Sequence, residues 1–279
     1  MIEVMDDFRV FINQGPIQMM LDVSAEGNRL PDIGTKVGEK VLEQFHQMLP
    51  FIEKAKQYDW SKMIPEEYPL VLKKMIHAVI TLGEPSYTPL AAVAGSFSEF
   101  ALETALSMGA GRVIVNNGGD IAFRDIEGRP VKVGIPLEKE LKGQQLVMSI
   151  TDEMGIRGIC TSGFGGRSFT KGIADKAVAL ASKASIADVC ATYIANETNV
   201  EDPAIIRSLA EEIDSGTDLK GHLVTVRINP IKRESILKAL LNGHAKAEEL
   251  IQKQKIIGSA IVLGQDVMLV PDGIAQIKK

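Results

Sequence analysis

Cysteine is scarce in this 279-residue chain, which has only Cys160 and Cys190. The two form no CxxC pair, which removes the spacing of a zinc site or of a thioredoxin-like redox motif. Histidine is nearly as rare: His46, His77, His222 and His244 lie too far apart in sequence for any two to share a metal-ligand spacing. A basic surplus is missing too. Lysine and arginine number 31 against 36 acidic residues, a net of −5, so the chain has no general attraction for nucleic acid or an anionic membrane surface. Lys73-Lys74 and Lys278-Lys279 are pairs too short to reverse this locally. No apolar run approaches the length of a membrane span, and the opening MIEVMDDFRVFIN has no basic region followed by an apolar one, as an export signal would. The expected setting is cytoplasmic, with neither nucleic acid nor membrane as partner. Apolar residues, by contrast, make up 45% of the chain. That is ample for a buried core, built as a single domain over 1–279 or as two lobes.

Periodicity and turn residues predict the elements. FRVFIN and PIQMMLDV read as two strands joined at Gln14-Gly15, with Pro16 opening the second. Helices are predicted over 35–57, where Pro50 interrupts or restarts the run, over 66–82, and over 89–109, where Pro89 stands near the first turn and glycines stand at the end. Four strands follow, RVIVNN, DIAFRD, VKVGIP and QLVMSI, then short strands in 156–170 and KAVALAS, and a helix over 185–196. Asp202-Pro203 resembles an N-cap and first-turn proline opening another helix. LVTVRI, a helix over 231–253, IIGSAIVL and VMLV complete the chain. Long helices before and after a cluster of turn-linked strands predict a mixed α/β (α+β) fold with substantial antiparallel sheet. The regular strand–helix alternation of a doubly wound fold is absent.

Four stretches carry candidate chemistry. In VIVNNGGDIAF (113–123), Gly118-Gly119 supplies positive φ for a tight hairpin, or leaves main chain bare for a phosphate or ring with Asn117 and Asp120 at the rim. In GICTSGFGGRSFTKG (158–172), five glycines stand among Thr161, Ser162, Arg167, Ser168, Thr170 and Lys171. That composition makes an anion-binding nest or a flexible glycine-rich hairpin; it is neither a Walker A sequence nor a GxGxxG turn. In SIADVCATYIAN (185–196), Asp188 and Thr192 are four apart and share a helix face. A carboxylate and a hydroxyl are hard donors suited to Mg²⁺ with waters or a phosphate. Ser185-x-x-Asp188 also matches a capping box covering its own first turn, and spacing favours the cap. Cys160, beside amides and cations, would be a nucleophile with a lowered pKa; otherwise it is a small buried apolar residue, which is the better reading, as it is for Cys190. Glu99 is either on a solvent face or a buried acid.

The order NNGGDI, a strand ending in GIP, CTSG, and then an AD-xxx-T helix resembles the ApbE-like superfamily, whose best-known members are FAD:protein FMN transferases, once called thiamine-biosynthesis lipoproteins. PLAAVAGSFSEF, NNGGDI and GICTSG, in that order, are most similar to an uncharacterised branch of the superfamily found largely in anaerobic microbes. The resemblance implies one ApbE-like domain of T-fold type, a twisted antiparallel sheet flanked by helices. It implies that Asp188 and Thr192 bind Mg²⁺, which reverses the preference for the cap. It places Asn117, Gly118, Gly119, Asp120, Thr161, Ser162, Gly163 and Arg167 around a flavin nucleotide, FAD or FMN. The chain departs from the transferases in lacking a His-x-x-Asp-Pro element after the TSG strand, which makes it a degenerate flavin transferase by this comparison. Two alternatives stand beside that reading. One is sulfur handling in anaerobic cysteine or homocysteine synthesis, with Cys160 as a catalytic persulfide carrier. The other is a non-catalytic ligand-binding module. A homodimer fits the long apolar helices.

Overall fold

A computed structural model of the chain describes residues 1–58, 60, 64–137, 141 and 143–279. Strands β1 (Ile2–Val4), β2 (Val10–Gln14) and β3 (Ile17–Ala25) form an antiparallel meander. Gln14 pairs with Ile17, so the turn is Gly15-Pro16 rather than Gln14-Gly15, and Gly15 takes the left-handed φ of 56° that a tight reversal needs. The short β4 (Asn28–Arg29) folds back on β3. Helix α1 (Pro31–Met48) begins at a proline in its first position and buries Gly34, Val37, Gly38, Val41, Gln44 and Met48, a stripe with helical spacing. Pro50 sits in a 3-10 turn (Leu49–Phe51) that leads into α2 (Ile52–Ala55).

Helix α3 (Leu70–Leu82) starts later than the sequence suggests, because Pro69 is extended with ψ of 148°, and it stops at Gly83 with φ of 73°. Helix α4 (Val93–Ser107) follows a 3-10 turn over Pro89–Ala92. Next come β5 (Arg112–Asn117), β6 (Asp120–Asp125), β7 (Val131–Pro136) and β8 (Gln145–Ile150), with the bounds the strand pattern predicts. The remaining elements are β9 (Gly158–Ser162), β10 (Lys176–Ala181), α5 (Ala184–Glu197), β11 (Ile205–Leu209), α6 (Ala210–Ile213), β12 (Leu223–Ile228), α7 (Arg233–Gln252), β13 (Gly258–Leu263), β14 (Asp266–Val270) and β15 (Gln276–Lys278).

The helix expected after Asp202-Pro203 is a strand instead. Ile205 and Ile206 are β-branched, and β11 pairs antiparallel with β12 from Ile205–Ile228 to Leu209–Leu223. Asp202 does accept the local bond that suggested a cap, from the Ala204 amide at 2.9 Å, but its other oxygen takes the Ser235 hydroxyl at 2.6 Å. A turn with the same side-chain chemistry therefore opens a strand.

The chain divides into two compact units. The first holds Met1–Val131, Ile150–Cys160 and Leu180–Val189; the second holds Lys132–Ser149, Thr161–Ala179 and Cys190–Lys279. In the first, antiparallel strands run β1-β2-β3-β5-β6-β9, with α4 packed on β5 and β6 and with α1 and α3 against α4. Its core includes Ile12, Met19, Leu21, Met75, Ile76, Val113, Val115 and Ile159, each at most 1% exposed. Burial of each large side chain contributes roughly 1.5–3 kcal/mol. In the second, β13 lies between β10 and β14 under α7, β11 pairs with β12, and β8 lies between β7 and β15. The fold is a mixed α/β arrangement of antiparallel sheet and helices. No described helix is long and apolar enough to cross a membrane.

Candidate functional site in the first unit

The β5–β6 hairpin is the starting point. Asn117 pairs with Asp120, leaving Gly118-Gly119 as a two-residue turn. Their φ values, 69° and 110°, lie in the left-handed region that only glycine enters without strain. Asn116 accepts the Gly119 amide at 2.9 Å. A Cβ at Gly119 would meet nothing within 4 Å, so the tip faces open space. Asn117 is buried and committed: its Oδ1 accepts from the Gln18 amide at 3.3 Å, and its Nδ2 donates to the Ala94 carbonyl at 3.4 Å. The turn is thus a true hairpin, and Asn117 ties it to β3 and to the start of α4.

Helix α4 reaches back to the hairpin. The Ser98 hydroxyl donates to the Asp120 carbonyl at 2.8 Å. Its small residues then admit α5. A Cβ at Gly95 would lie 2.3 Å from the Ala184 carbonyl oxygen and 2.7 Å from the Asp188 Cβ; a Cβ at Gly158 would lie 2.3 Å from the Ala184 Cα. Only glycine at both positions lets the first turn of α5 sit this close to α4 and β9.

The close approach lets each helix cap the other. Asp188 Oδ2 accepts from the Gly95 amide, in the first turn of α4, at 2.8 Å. Glu99 Oε2 accepts from the amide and the hydroxyl of Ser185, in the first turn of α5, at 3.1 and 2.6 Å. Orphan donors at both helix starts thus receive a carboxylate from the neighbouring helix. The capping-box reading is corrected accordingly: Ser185 gives its hydroxyl to Glu99, and Asp188 bonds to α4. Glu99 is settled as a buried acid, 4% exposed. Lys74 of α3 donates to Glu99 at 2.7 Å and to Glu103 at 2.8 Å. Burial raises the Glu99 carboxyl, but Lys74 and Ser185 outweigh it and hold the group below its ordinary value.

Asp188 is the opposite case. Burial, and then the charge of Asp120, push its carboxyl well above the usual range, while the Gly95 and Ala94 amides pull it down. Cys160 is fully buried in β9, its Sγ 3.3 Å from the Ala184 carbonyl. Burial, Asp120 and Asp188 all push its thiol well above the ordinary value. Cys160 thus occupies the core, the reading its sequence favoured, and its surroundings raise the thiol where a nucleophile needs it lowered. Cys190 is buried as well.

The other sequence candidates belong to the second unit. Thr161 and Ser162, at the end of β9, are half-buried, and Arg167 is exposed. Gly163 has φ of 139°, and a Cβ there would lie 2.7 Å from the Asp175 carbonyl oxygen, so its need for glycine comes from its own chain. The amides of Phe164, Gly165 and Gly166 bond to Ala174, Asp175 and Gly163. These three are engaged internally, unlike the free amides of a nest. Thr192 is half-buried, one turn beyond Asp188 along α5. Among the described residues no group of three or more His, Cys, Asp or Glu is arranged to hold a metal. Sequence reasoning missed Gly95, Ser98 and Lys74, because nothing local named the partner helix.

A family model described as AbpE bacteria matches residues 2–269. A UPF0280 protein of Methanosarcina barkeri is 38% identical over 162 residues, 57% of this chain and 61% of that protein. One from Methanosarcina acetivorans is 38% identical over 143 residues, 50% of this chain and 54% of its own length. The chain thus spans less than two thirds of these two relatives. One from Methanothermobacter thermautotrophicus is 31% identical over 192 residues, 67% of this chain and 72% of its own length. Among solved structures, the apo flavinyl transferase ApbE of Pseudomonas stutzeri superposes with a TM-score of 0.53 at 11% identity, covering 96% of this chain and 93% of that one. A mutant of the flavin transferase ApbE from Vibrio cholerae gives 0.50 at 13% identity, covering 94% and 96%. At such identities the likeness is one of fold.

Proposed function

Because the chain belongs to the AbpE bacteria family, an ApbE-like branch, we propose that it binds a flavin nucleotide, FAD or FMN, together with Mg²⁺ beside Asp188. The observation that carries this reading is the buried Asp188 carboxylate, bonded to Gly95 at 2.8 Å and facing the charge of Asp120. Burial and the neighbouring charge of half-buried Asp120 disfavour ionisation of Asp188, and a divalent cation beside Asp188 would offset that penalty. The donor chemistry fits. Asp188 and Asp120 offer carboxylate oxygens, and Mg²⁺ takes few protein oxygens and completes its shell with water and phosphate; assignment of Thr192 as a further donor rests on motif order. When bound, the ion neutralises a pyrophosphate, the requirement of flavin-phosphoryl transfer.

The chain's own residues do the positioning. Gly118 and Gly119 present bare main chain at an open tip. Asn117 fixes that tip to β3 and α4, and Ser98 fixes the backbone at Asp120. Assignment of Thr161, Ser162, Gly163 and Arg167 to the nucleotide rests on motif order. The missing His-x-x-Asp-Pro element favours binding over transfer.

Equilibrium dialysis of FAD with and without Mg²⁺ tests the proposal. The wild-type chain should retain FAD only with the metal. Asp188→Asn, which keeps the Gly95 bond, should lose at least tenfold in affinity, the loss of about 1.4 kcal/mol of metal contact. Metal-independent retention, or equal binding by the variant, overturns it.

A further inference from the structure

Lys171 lies in the glycine-rich segment but takes no part in the site proposed above. Its backbone is held on both sides: the amide donates to Asn196 Oδ1 at 2.9 Å, and the carbonyl accepts from the Thr225 hydroxyl at 3.3 Å. Its Nζ lies 3.2 Å from Nδ1 of His222. At that distance two protonated groups would oppose each other with donors only, so one partner must present a lone pair. Other lysines sit differently. Lys40 donates to Glu43 at 2.7 Å and Lys246 to Glu249 at 3.0 Å, and both are held above the usual lysine value. Among the described residues no ion pair holds Lys171.

We propose that Lys171 is a site of covalent acylation by small acyl phosphates, with His222 as the proton acceptor. The neutral Nζ attacks the acyl carbon, and its lone pair forms the amide bond. The carbon–oxygen bond to phosphate breaks, and phosphate leaves with that electron pair. The proton released from Nζ passes to His222 Nδ1 and on to solvent. Both groups are poised for this. Burial lowers the Lys171 amine against the opposing charge of Glu197, the mode in which desolvated lysines become nucleophilic near neutral pH. Burial and then Lys171 lower the His222 ring below its ordinary value, against Asp218 and Glu211.

The test is acylation of the intact chain by acetyl phosphate at pH 7.5, with each lysine followed by peptide mass spectrometry. Lys171 should be modified roughly tenfold faster than Lys40 or Lys246, because desolvation leaves more of its amine neutral. His222→Gln should bring Lys171 down to the rate of those two controls and leave theirs unchanged. Because the wild-type ratio stands alone, it decides the matter even where the variant folds poorly. Modification of Lys171 no faster than of Lys40 overturns the proposal, as does a folded His222→Gln chain in which Lys171 keeps its rate.

Discussion

Glu99 and Asp188 share one chemistry and take opposite states. Each carboxylate is buried and accepts from the first turn of the neighbouring helix. Glu99 has Lys74 beside it, whereas Asp188 has Asp120. A lysine partner makes Glu99 a structural anion, and an acidic neighbour puts Asp188 in the opposite setting, the one on which the proposed cation rests. The first half of that contrast predicts a stability effect. Glu99→Ala leaves the Ser185 amide without its carboxylate and strips Lys74 of one partner. The expected loss is about 3 kcal/mol in urea unfolding, the low end for a broken buried pair, because Lys74 keeps Glu103. The pH sign follows from the direction of the shift. A carboxyl held below its ordinary value contributes stability that is present above about pH 4.3 and lost as pH falls through the lower folded value. The wild-type chain should therefore lose stability more steeply in acid than Glu99→Gln. Parallel curves would show that Glu99 is not the anchor of α5.

At the scale of elements, the glycines decide what meets. Gly158 and Gly119 make a matched pair of tests. Alanine at Gly158 runs into the Ala184 backbone at 2.3 Å, which cannot rotate away, so α5 must shift. Overpacking of that kind costs about 1–3 kcal/mol and carries Asp188 with it. Alanine at Gly119 meets open space but must adopt φ of 110°, a strain of about 1–3 kcal/mol confined to the turn. Both variants should lose stability by thermal denaturation, but only Gly158→Ala should also weaken metal binding measured by calorimetry. Equal metal affinity in the two would separate α5 from the metal.

The same elements show what the sequence made legible. The run from 112 to 150 announced β5 to β8 because alternation, β-branched residues and glycine turns all agree there. The Asp202-Pro203 signal misled because its capping chemistry also serves a turn into a strand. The mutual capping of α4 and α5 was invisible, since its partners lie 86 and 93 residues apart and Ser185 and Asp188 looked satisfied within their own helix. For Cys160 the burial was legible as the better of two readings, but its spatial neighbours, Ala184 and two carboxylates, were not.

For the whole molecule, family and fold agree. The match to AbpE bacteria over 2–269 and the likeness to two ApbE flavin transferases give the same mixed α/β architecture that motif order suggested. The physical claim beneath the proposed function is narrower: Asp188, held by Gly95 and opposed by Asp120, awaits a divalent cation. Crystals grown with FAD and Mn²⁺ in place of Mg²⁺ test it most directly through anomalous scattering. An anomalous peak at bonding distance from an Asp188 carboxylate oxygen is the predicted result. A map with FAD bound and no peak beside Asp188, or with the metal held by other residues, would contradict the account.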